Sequence, residues 1–223
     1  MTSLIVFIVW LTVKLSQSKS KQQENTKAYW EKEMAANAVP KKSLDDLSYI
    51  NFPFYLLPTE ESFSAEGENI PSSLLMMLSL KGKKIVNLNN ISNTDLKLSY
   101  GTTNITVLTE YDENFITLCR EGYLFTEYLS DIGRKEEAIP IARALIDAGS
   151  DVSNQFTLLY KLYHEAGDGE NCRQLTEKAS SLESTRKDAI VKALSQLQEE
   201  LAADNDSSGP EVVLSGSELV DDP

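Results

Sequence analysis

The chain begins with an apolar segment that is typical of a membrane helix. No charged residue precedes Lys14, and residues 4–11 are apolar without interruption. A bilayer core of about 30 Å needs about 20 helical residues, so this run is shorter than an ordinary span. Extension through Leu15, with the Lys14 ammonium group reaching the headgroups, lengthens it. We therefore predict that residues 1–18 form a transmembrane or signal-anchor helix.

Two alternatives for this segment remain open, a cleaved signal peptide and a buried helix of a soluble protein. A signal peptide usually has a basic stretch ahead of its apolar run, which this chain lacks, and residues 16–18 offer small residues for cleavage without the usual alanines. The lysines near the run all follow it: Lys14, Lys19, Lys21, Lys27 and Lys32. The positive-inside rule then predicts a single-pass protein of the cell membrane, with its N-terminus outside and its body in the cytoplasm.

A helical pattern continues beyond the apolar run. Residues 19–39 are rich in helix formers and contain no Gly or Pro, so we predict a juxtamembrane helix that ends before Pro40. Tyr29 and Trp30 lie about 20 Å of helix beyond the run, which is too far for the headgroup region. We expect both rings to pack on the body of the protein.

Residues 40–111 mix extended stretches with short helices. Prolines in the apolar stretch 49–58 exclude a long helix and a central strand, so we predict an extended strap whose apolar side chains complete the core. A tethered recognition peptide is the alternative for this stretch. Residues 70–80 predict a short helix with the pair Met76–Met77 in the core. Residues 85–89 alternate between apolar and polar side chains as a short strand does.

The second half of the chain has the period of helical repeats. Residues 112–201 carry apolar side chains at helical spacing, interrupted near Gly133, Gly149 and Gly167. A shift of 34 residues superimposes Leu124 on Leu158, Phe125 on Leu159, Leu129 on Tyr163, Asp131 on Glu165, Gly133 on Gly167 and Ala138 on Cys172. This period is that of helix-turn-helix solenoids. The apolar stripe of residues 185–201 predicts a helix that caps the C-terminal end.

These repeats resemble the tetratricopeptide family in a degenerate form. The shared features are a large apolar pair on the first helix, a glycine in the turn at Gly133 and Gly167, and a small residue five positions later at Ala138 and Cys172. The departures are Thr126 and Tyr160 at the family's small position in the first helix, and Ser150 and Ser184 at its closing proline. The resemblance covers about residues 119–186 and implies a helical-hairpin domain with a groove for a peptide or protein partner.

The whole chain also resembles uncharacterised, membrane-anchored proteins of anaerobic Gram-positive bacteria. The residues behind this resemblance lie in the segments 28–30, 42–47 and 91–101. Because no activity is attached to that group, the resemblance implies architecture alone. The predicted fold is mainly α, with an N-terminal membrane helix followed by a small tetratricopeptide-like domain and an extended strap.

The distribution of charge along the chain argues against a nucleic-acid-binding function. Apolar residues make up 41% of the chain and charged residues 25%, which is ordinary for a globular protein. Residues 1–50 carry a net charge of +2 and residues 51–223 a net charge of −15. A nucleic-acid partner is therefore not expected, because phosphate neutralisation needs a basic face. Residues 202–223 carry six acidic and no basic residues, and we predict a disordered acidic tail.

Chemistry-bearing motifs are absent from the sequence. The chain contains no GxGxxG, GxxxxGK[ST], GxSxG or HExxH pattern. Cys119 and Cys172 are far apart and form no CxxC or Cys/His cluster, and His164 has no nucleophile motif near it. We therefore predict no catalytic, cofactor-binding or metal-binding residue, no cofactor and no enzyme activity.

The leading hypothesis is a membrane-tethered protein–protein interaction protein, an adaptor or scaffold. Residues 1–18 would hold it in the membrane, and the repeat body would bind a protein or peptide partner. One alternative is an exported or surface-displayed ligand-binding protein whose N-terminal segment is a signal peptide. A further alternative is an enzyme without a recognisable motif.

Overall fold

The computed structural model describes residues 2–65 and 69–207, which are mainly helical. The α-helices are, in chain order, α1 (Thr2–Asn37), α2 (Glu60–Ala65), α3 (Ser72–Leu78), α4 (Asn93–Tyr100), α5 (Ile105–Asp131), α6 (Lys135–Asp147), α7 (Ser153–Glu165), α8 (Gly169–Ser180) and α9 (Lys187–Ser207). Two short 3-10 helices, Phe54–Leu56 and Thr102–Asn104, lie between them. The predicted mainly α fold class is confirmed.

Helix α1 contains the apolar run and continues to Asn37 as a single helix. It ends three residues before Pro40, in agreement with the bias of a proline against helical geometry in the residue before it. Within residues 2–65 and 69–207, no helix combines the length and the hydropathy that crossing a bilayer requires. The transmembrane helix therefore stays a prediction.

The aromatic pair of α1 does not pack on the body, so that prediction is wrong. Tyr29 is 55% exposed and Trp30 is 58% exposed, and the two rings contact each other edge to face, with centroids 5.5 Å apart. The body meets α1 one turn later, where Glu33 contacts the first turn of α4. Because α4 begins beside Glu33, it does not extend far enough to pack against the Tyr29 ring.

The strap packs most of its apolar side chains into or against the main core, as its interpretation requires, while Tyr55 is 86% exposed. Phe52 and Leu57 are buried in one cluster with side chains of α3, α5 and α6, and Phe63 of α2 joins them. The Phe63 ring lies 6.1 Å from the ring of Phe125 on α5, and the guanidinium of Arg134 covers its other side at 4.4 Å. The extended segment is thus fastened to the end of α5 by a buried ring.

Two smaller predictions for this region need correction. Met77 is fully buried, but Met76 is 43% exposed because successive residues of a helix point 100° apart and only one of the pair can face α5. Residues 85–89 form no strand; extended pairing in the described ranges is limited to one antiparallel bridge between Tyr49 and Val86. The backbone there is satisfied by α5 instead, since the Leu88 N–H donates to the Asp112 carboxylate at 3.0 Å.

The second half consists of two helical hairpins, α5–α6 and α7–α8, that close with the same turn. Gly133 and Gly167 both have positive φ, 84° and 71°, as the left-handed position after a helix requires. After Gly133, the Arg134 N–H donates to the Leu129 carbonyl at 2.8 Å. After Gly167, the Asp168 N–H donates to the Tyr163 carbonyl at 2.9 Å. The donors and acceptors of the two turns are 34 residues apart, which is the period seen in the sequence.

Helix α9 covers the end of the second hairpin. Ile190 and Leu194 are fully buried in a cluster with Phe156 and Leu159 of α7 and with Ala179 of α8. At the other end, α3 packs along α5, so both ends of the paired hairpins are covered. Helix α9 continues to Ser207, into the segment predicted to be a disordered tail; residues 208–223 of that segment lie outside the described residues.

Candidate functional site

A groove of about 500 Å³ lies where α7, α8 and α9 meet. It is lined by Tyr160, His164, Gly167, Gly169, Cys172, Arg173, Thr176 and Gln198, and we call it the helical groove. Its volume is within the range of ligand sites in proteins. The side chains come from three elements that are separate in sequence, so the groove exists only once the second hairpin and α9 are packed.

One wall of the helical groove is formed by α7. Tyr160 and His164 are four residues apart and therefore lie on one side of the helix. The adjacent side of α7, about 100° around the helix, carries Leu159 and Tyr163, which are buried in the core. The burial of Leu159 and Tyr163 in the core therefore fixes the rotation of α7 that turns Tyr160 and His164 toward the groove.

Hydrogen bonds connect the three helices across the floor of the groove. Gln198 of α9 donates through Nε2 to the Thr176 hydroxyl of α8 at 3.2 Å. The Tyr160 carbonyl oxygen of α7 accepts from the Cys172 thiol of α8, while burial of the Tyr160 ring raises the pKa of its hydroxyl above its usual range. This network holds α9 against the hairpin and leaves hydroxyl and amide groups facing the groove.

Cys172 forms the apolar part of the floor. Its side chain is buried, and its Sγ lies 3.8 Å from the Tyr160 carbonyl oxygen, as a weak donor would. Burial raises the pKa of the Cys172 thiol. The thiol is therefore protonated near neutral pH, whereas a nucleophilic cysteine needs a lowered pKa.

The rim of the groove has more negative than positive charge, because two carboxylates pair with one guanidinium. Arg173 makes a forked ion pair with Glu170, with Nη2 to Oε1 at 2.6 Å, and it also pairs with Glu177 one turn later. Hydrogen bonds from Arg173, and then from Gln174, lower the pKa of Glu170 to about 2. Since two carboxylates surround one guanidinium, the rim does not present an unpaired cation to an anionic ligand.

A smaller cavity of about 300 Å³ lies on the other side of the second hairpin, between α6, α7 and α8. Lys178 of α8 pairs with Asp147 of α6 across it. Burial is the main cause that raises the pKa of Tyr163, which lies beside Arg143. An ion pair already bridges this cavity, so the helical groove is the more open of the two surfaces.

The sequence predicted no site residues, and it placed neither His164 nor Cys172 in a chemical motif. The structure brings both to the helical groove, eight positions apart in sequence and on facing helices. Tyr160, Arg173 and Gln198 were not anticipated as groove residues. The signal that could have identified Tyr160 is its place next to the core position Leu159 in the 34-residue repeat.

Candidate metal ligands are dispersed in the part of the chain that the structure describes. No group of three or more His, Cys, Asp or Glu side chains there is arranged to hold a metal ion. In the basic turn around Gly82, the Lys84 ammonium group lies over two aromatic rings, 4.8 Å from the centroid of Tyr49 and 5.8 Å from that of Tyr111.

Comparison with protein-family models, with curated proteins and with solved structures finds no match for this chain.

Proposed function

We propose that this protein is a membrane-tethered interaction protein whose helical body, degenerate and tetratricopeptide-like, binds a peptide segment of a protein partner. The observation that carries the proposal is the helical groove between α7, α8 and α9. The predicted anchor in residues 1–18 places the chain in the cell membrane, with the body in the cytoplasm. Its role is binding and not catalysis.

The chemistry of the groove supports a peptide as the occupant. Hydroxyl and amide groups of Tyr160, Thr176 and Gln198 face it, and such groups both donate to and accept from a peptide backbone. The buried Cys172 gives the floor a small apolar surface that suits an apolar side chain. The rim, where the carboxylates of Glu170 and Glu177 surround Arg173, disfavours an anionic ligand such as a nucleic acid.

Tethering supports the same proposal in a different way. A partner that is also at the membrane meets the body at a raised effective concentration, so a groove of modest affinity is sufficient. The protonated thiol of Cys172 speaks against a cysteine nucleophile in the groove and therefore favours binding over catalysis.

Site-specific photo-crosslinking in intact membranes tests the proposal. A photoreactive residue is placed at Gln198, in the groove, or at Gln196, which is on the exposed side of the same helix. We expect a crosslinked protein band with the Gln198 position and none with Gln196, because a bound peptide touches only the groove. Equal crosslinking at the two positions, or none at either in folded protein, would contradict the proposal.

A further inference from the structure

The end of α1 is docked on α4 through a partly buried ion pair. Glu33 and Lys97 pair with side chains that are only 16% and 19% exposed. The Thr94 hydroxyl donates to the same Glu33 carboxylate at 2.7 Å. One turn later, Ala36 is fully buried, and its carbonyl accepts from the Thr102 hydroxyl at 3.4 Å. The contact thus combines charge, hydrogen bonding and close packing.

A second ion pair lies at the outer edge of this contact. The Lys32 ammonium group lies 2.6 Å from the Asp95 carboxylate, and the Ser92 hydroxyl donates to that carboxylate at 2.6 Å. The Ser92 oxygen in turn accepts from the Asp95 N–H and caps α4. The residues that hold α1 are therefore also those that begin α4, so the two helices are fixed to each other at the start of α4.

The chain that leaves α1 is fastened to the end of α4 within a few residues. The Lys42 N–H donates to the Tyr100 carbonyl at 3.1 Å. The buried Asn104 side chain donates to the carbonyls of both Lys42 and Tyr100, at 2.8 and 2.7 Å. Gly101 has φ 85°, and a Cβ atom there would lie 2.3 Å from the Pro40 carbonyl oxygen. The chain between α1 and the body is therefore held by contacts and is not a free linker.

We propose that these contacts form a rigid joint, which holds the body in one fixed orientation relative to α1. Lys32 and Glu33 contact Thr94, Asp95 and Lys97 of α4, and Ala36 contacts Thr102 after its end, so α4 runs in the same direction as α1. The joint begins about 27 Å of helix beyond Leu15, at 1.5 Å per residue. If residues 1–18 are the anchor of the proposed function, α1 sets a constant distance between the bilayer and the body; the joint itself does not depend on that anchor.

Distance measurements on the full-length chain in detergent micelles test the joint. Spin labels are carried by unnatural residues at Gln23 and Lys192, which leaves Cys119 and Cys172 unchanged. We expect a single narrow distance distribution for the unmodified sequence. Glu33→Ala removes the partly buried pair and should cause loss of the narrow peak, while circular dichroism reports an intact body.

Glu31→Ala is the matched control, because Glu31 pairs with Lys27 only on the exposed surface of α1, at 3.8 Å. This variant should keep the narrow peak. Gly101→Ala should broaden the distribution by displacing the chain at Pro40. A broad distribution in the unmodified protein, or an unchanged one in Glu33→Ala, overturns the joint. Crosslinking at Gln198 reports on the groove separately, so failure of one proposal is distinguishable from failure of the other.

Discussion

At the scale of single residues, the turn glycines carry the clearest conformational demand. Gly167 has φ 71° and no neighbour within 4 Å of a Cβ atom, so the cost of a side chain there comes from the backbone conformation and not from a collision. The left-handed region costs an L-residue about 1–2 kcal/mol, and a β-branched side chain fits it worst. We therefore expect Gly167→Val to lower the free energy of unfolding by at least about 1 kcal/mol in urea titrations.

Gly169 provides the matched control for this substitution. It lies two residues away, at the start of α8, and has open space around it without a left-handed φ. Gly169→Ala should leave the free energy of unfolding unchanged or raise it by about 0.4–1 kcal/mol, because alanine reduces the freedom of the unfolded chain. If both variants had the same unfolding free energy, the assignment of the Gly167 strain would be wrong.

The buried thiol of Cys119 makes a prediction about reactivity and alkaline stability. Burial raises its pKa from 9.0 to about 12, so thiol reagents should label it at pH 8 only after unfolding. The unfolded chain releases this proton near pH 9, whereas the folded chain keeps it until about pH 12. Stability should therefore fall as the pH rises through this window, since the folded state then binds more protons than the unfolded state.

Two measurements check the thiol prediction. Labelling with a chromogenic disulfide at pH 8 should be slow in native protein and complete in denaturant, and urea midpoints should decline above pH 9. Rapid labelling of Cys119 in the native protein would show that the thiol is accessible and would refute the assignment. A Cys119→Ala variant should lose this thiol's contribution to the alkaline decline.

At the scale of elements, α9 is the piece on which the second hairpin depends. Solenoid repeats expose an apolar face when the next unit is missing, and α9 covers that face with Ile190 and Leu194. Truncation after Arg186 should therefore expose Phe156 and Leu159 and abolish cooperative unfolding of the α7–α8 hairpin. Circular dichroism during urea titration, with binding of a hydrophobic dye, measures both effects.

Truncation after Ser207 is the control for that experiment. It keeps all of α9 and its buried contacts, so we expect an unchanged unfolding midpoint. A cooperative transition of normal midpoint after truncation at Arg186 would show that the two hairpins are stable without a cap. In that case α9 would serve only to form the helical groove.

At the scale of the whole molecule, the charges of α1 predict how the chain is oriented relative to the membrane. The lysines of α1 all follow its apolar run, which predicts a cytoplasmic body. A reporter that is active only in the cytoplasm, fused after Pro223, should therefore be active and sediment with membranes. An inactive but intact, membrane-bound fusion would reverse the topology, and a secreted fusion would favour the signal-peptide alternative.

Features that depend only on neighbours along the chain could be predicted from the amino-acid sequence. Helical spacing identified the helices after residue 112, and the glycines at 133, 149 and 167 marked their ends, because a left-handed turn and a helical period are local properties. The strap was also recognisable, since its prolines exclude a long helix and a central strand regardless of what it packs against.

Which side chains meet across the chain depends on how the helices pack, and the sequence does not reveal it. Glu33 and Lys97 are 64 residues apart, and Tyr160 and Gln198 line one groove only after α9 covers the second hairpin. The exposure of Tyr29, Trp30 and Met76 was decided in the same way. Each depends on where a neighbouring helix begins or how it is rotated, and these quantities come from the packing of the core as a whole, not from the local pattern of residues.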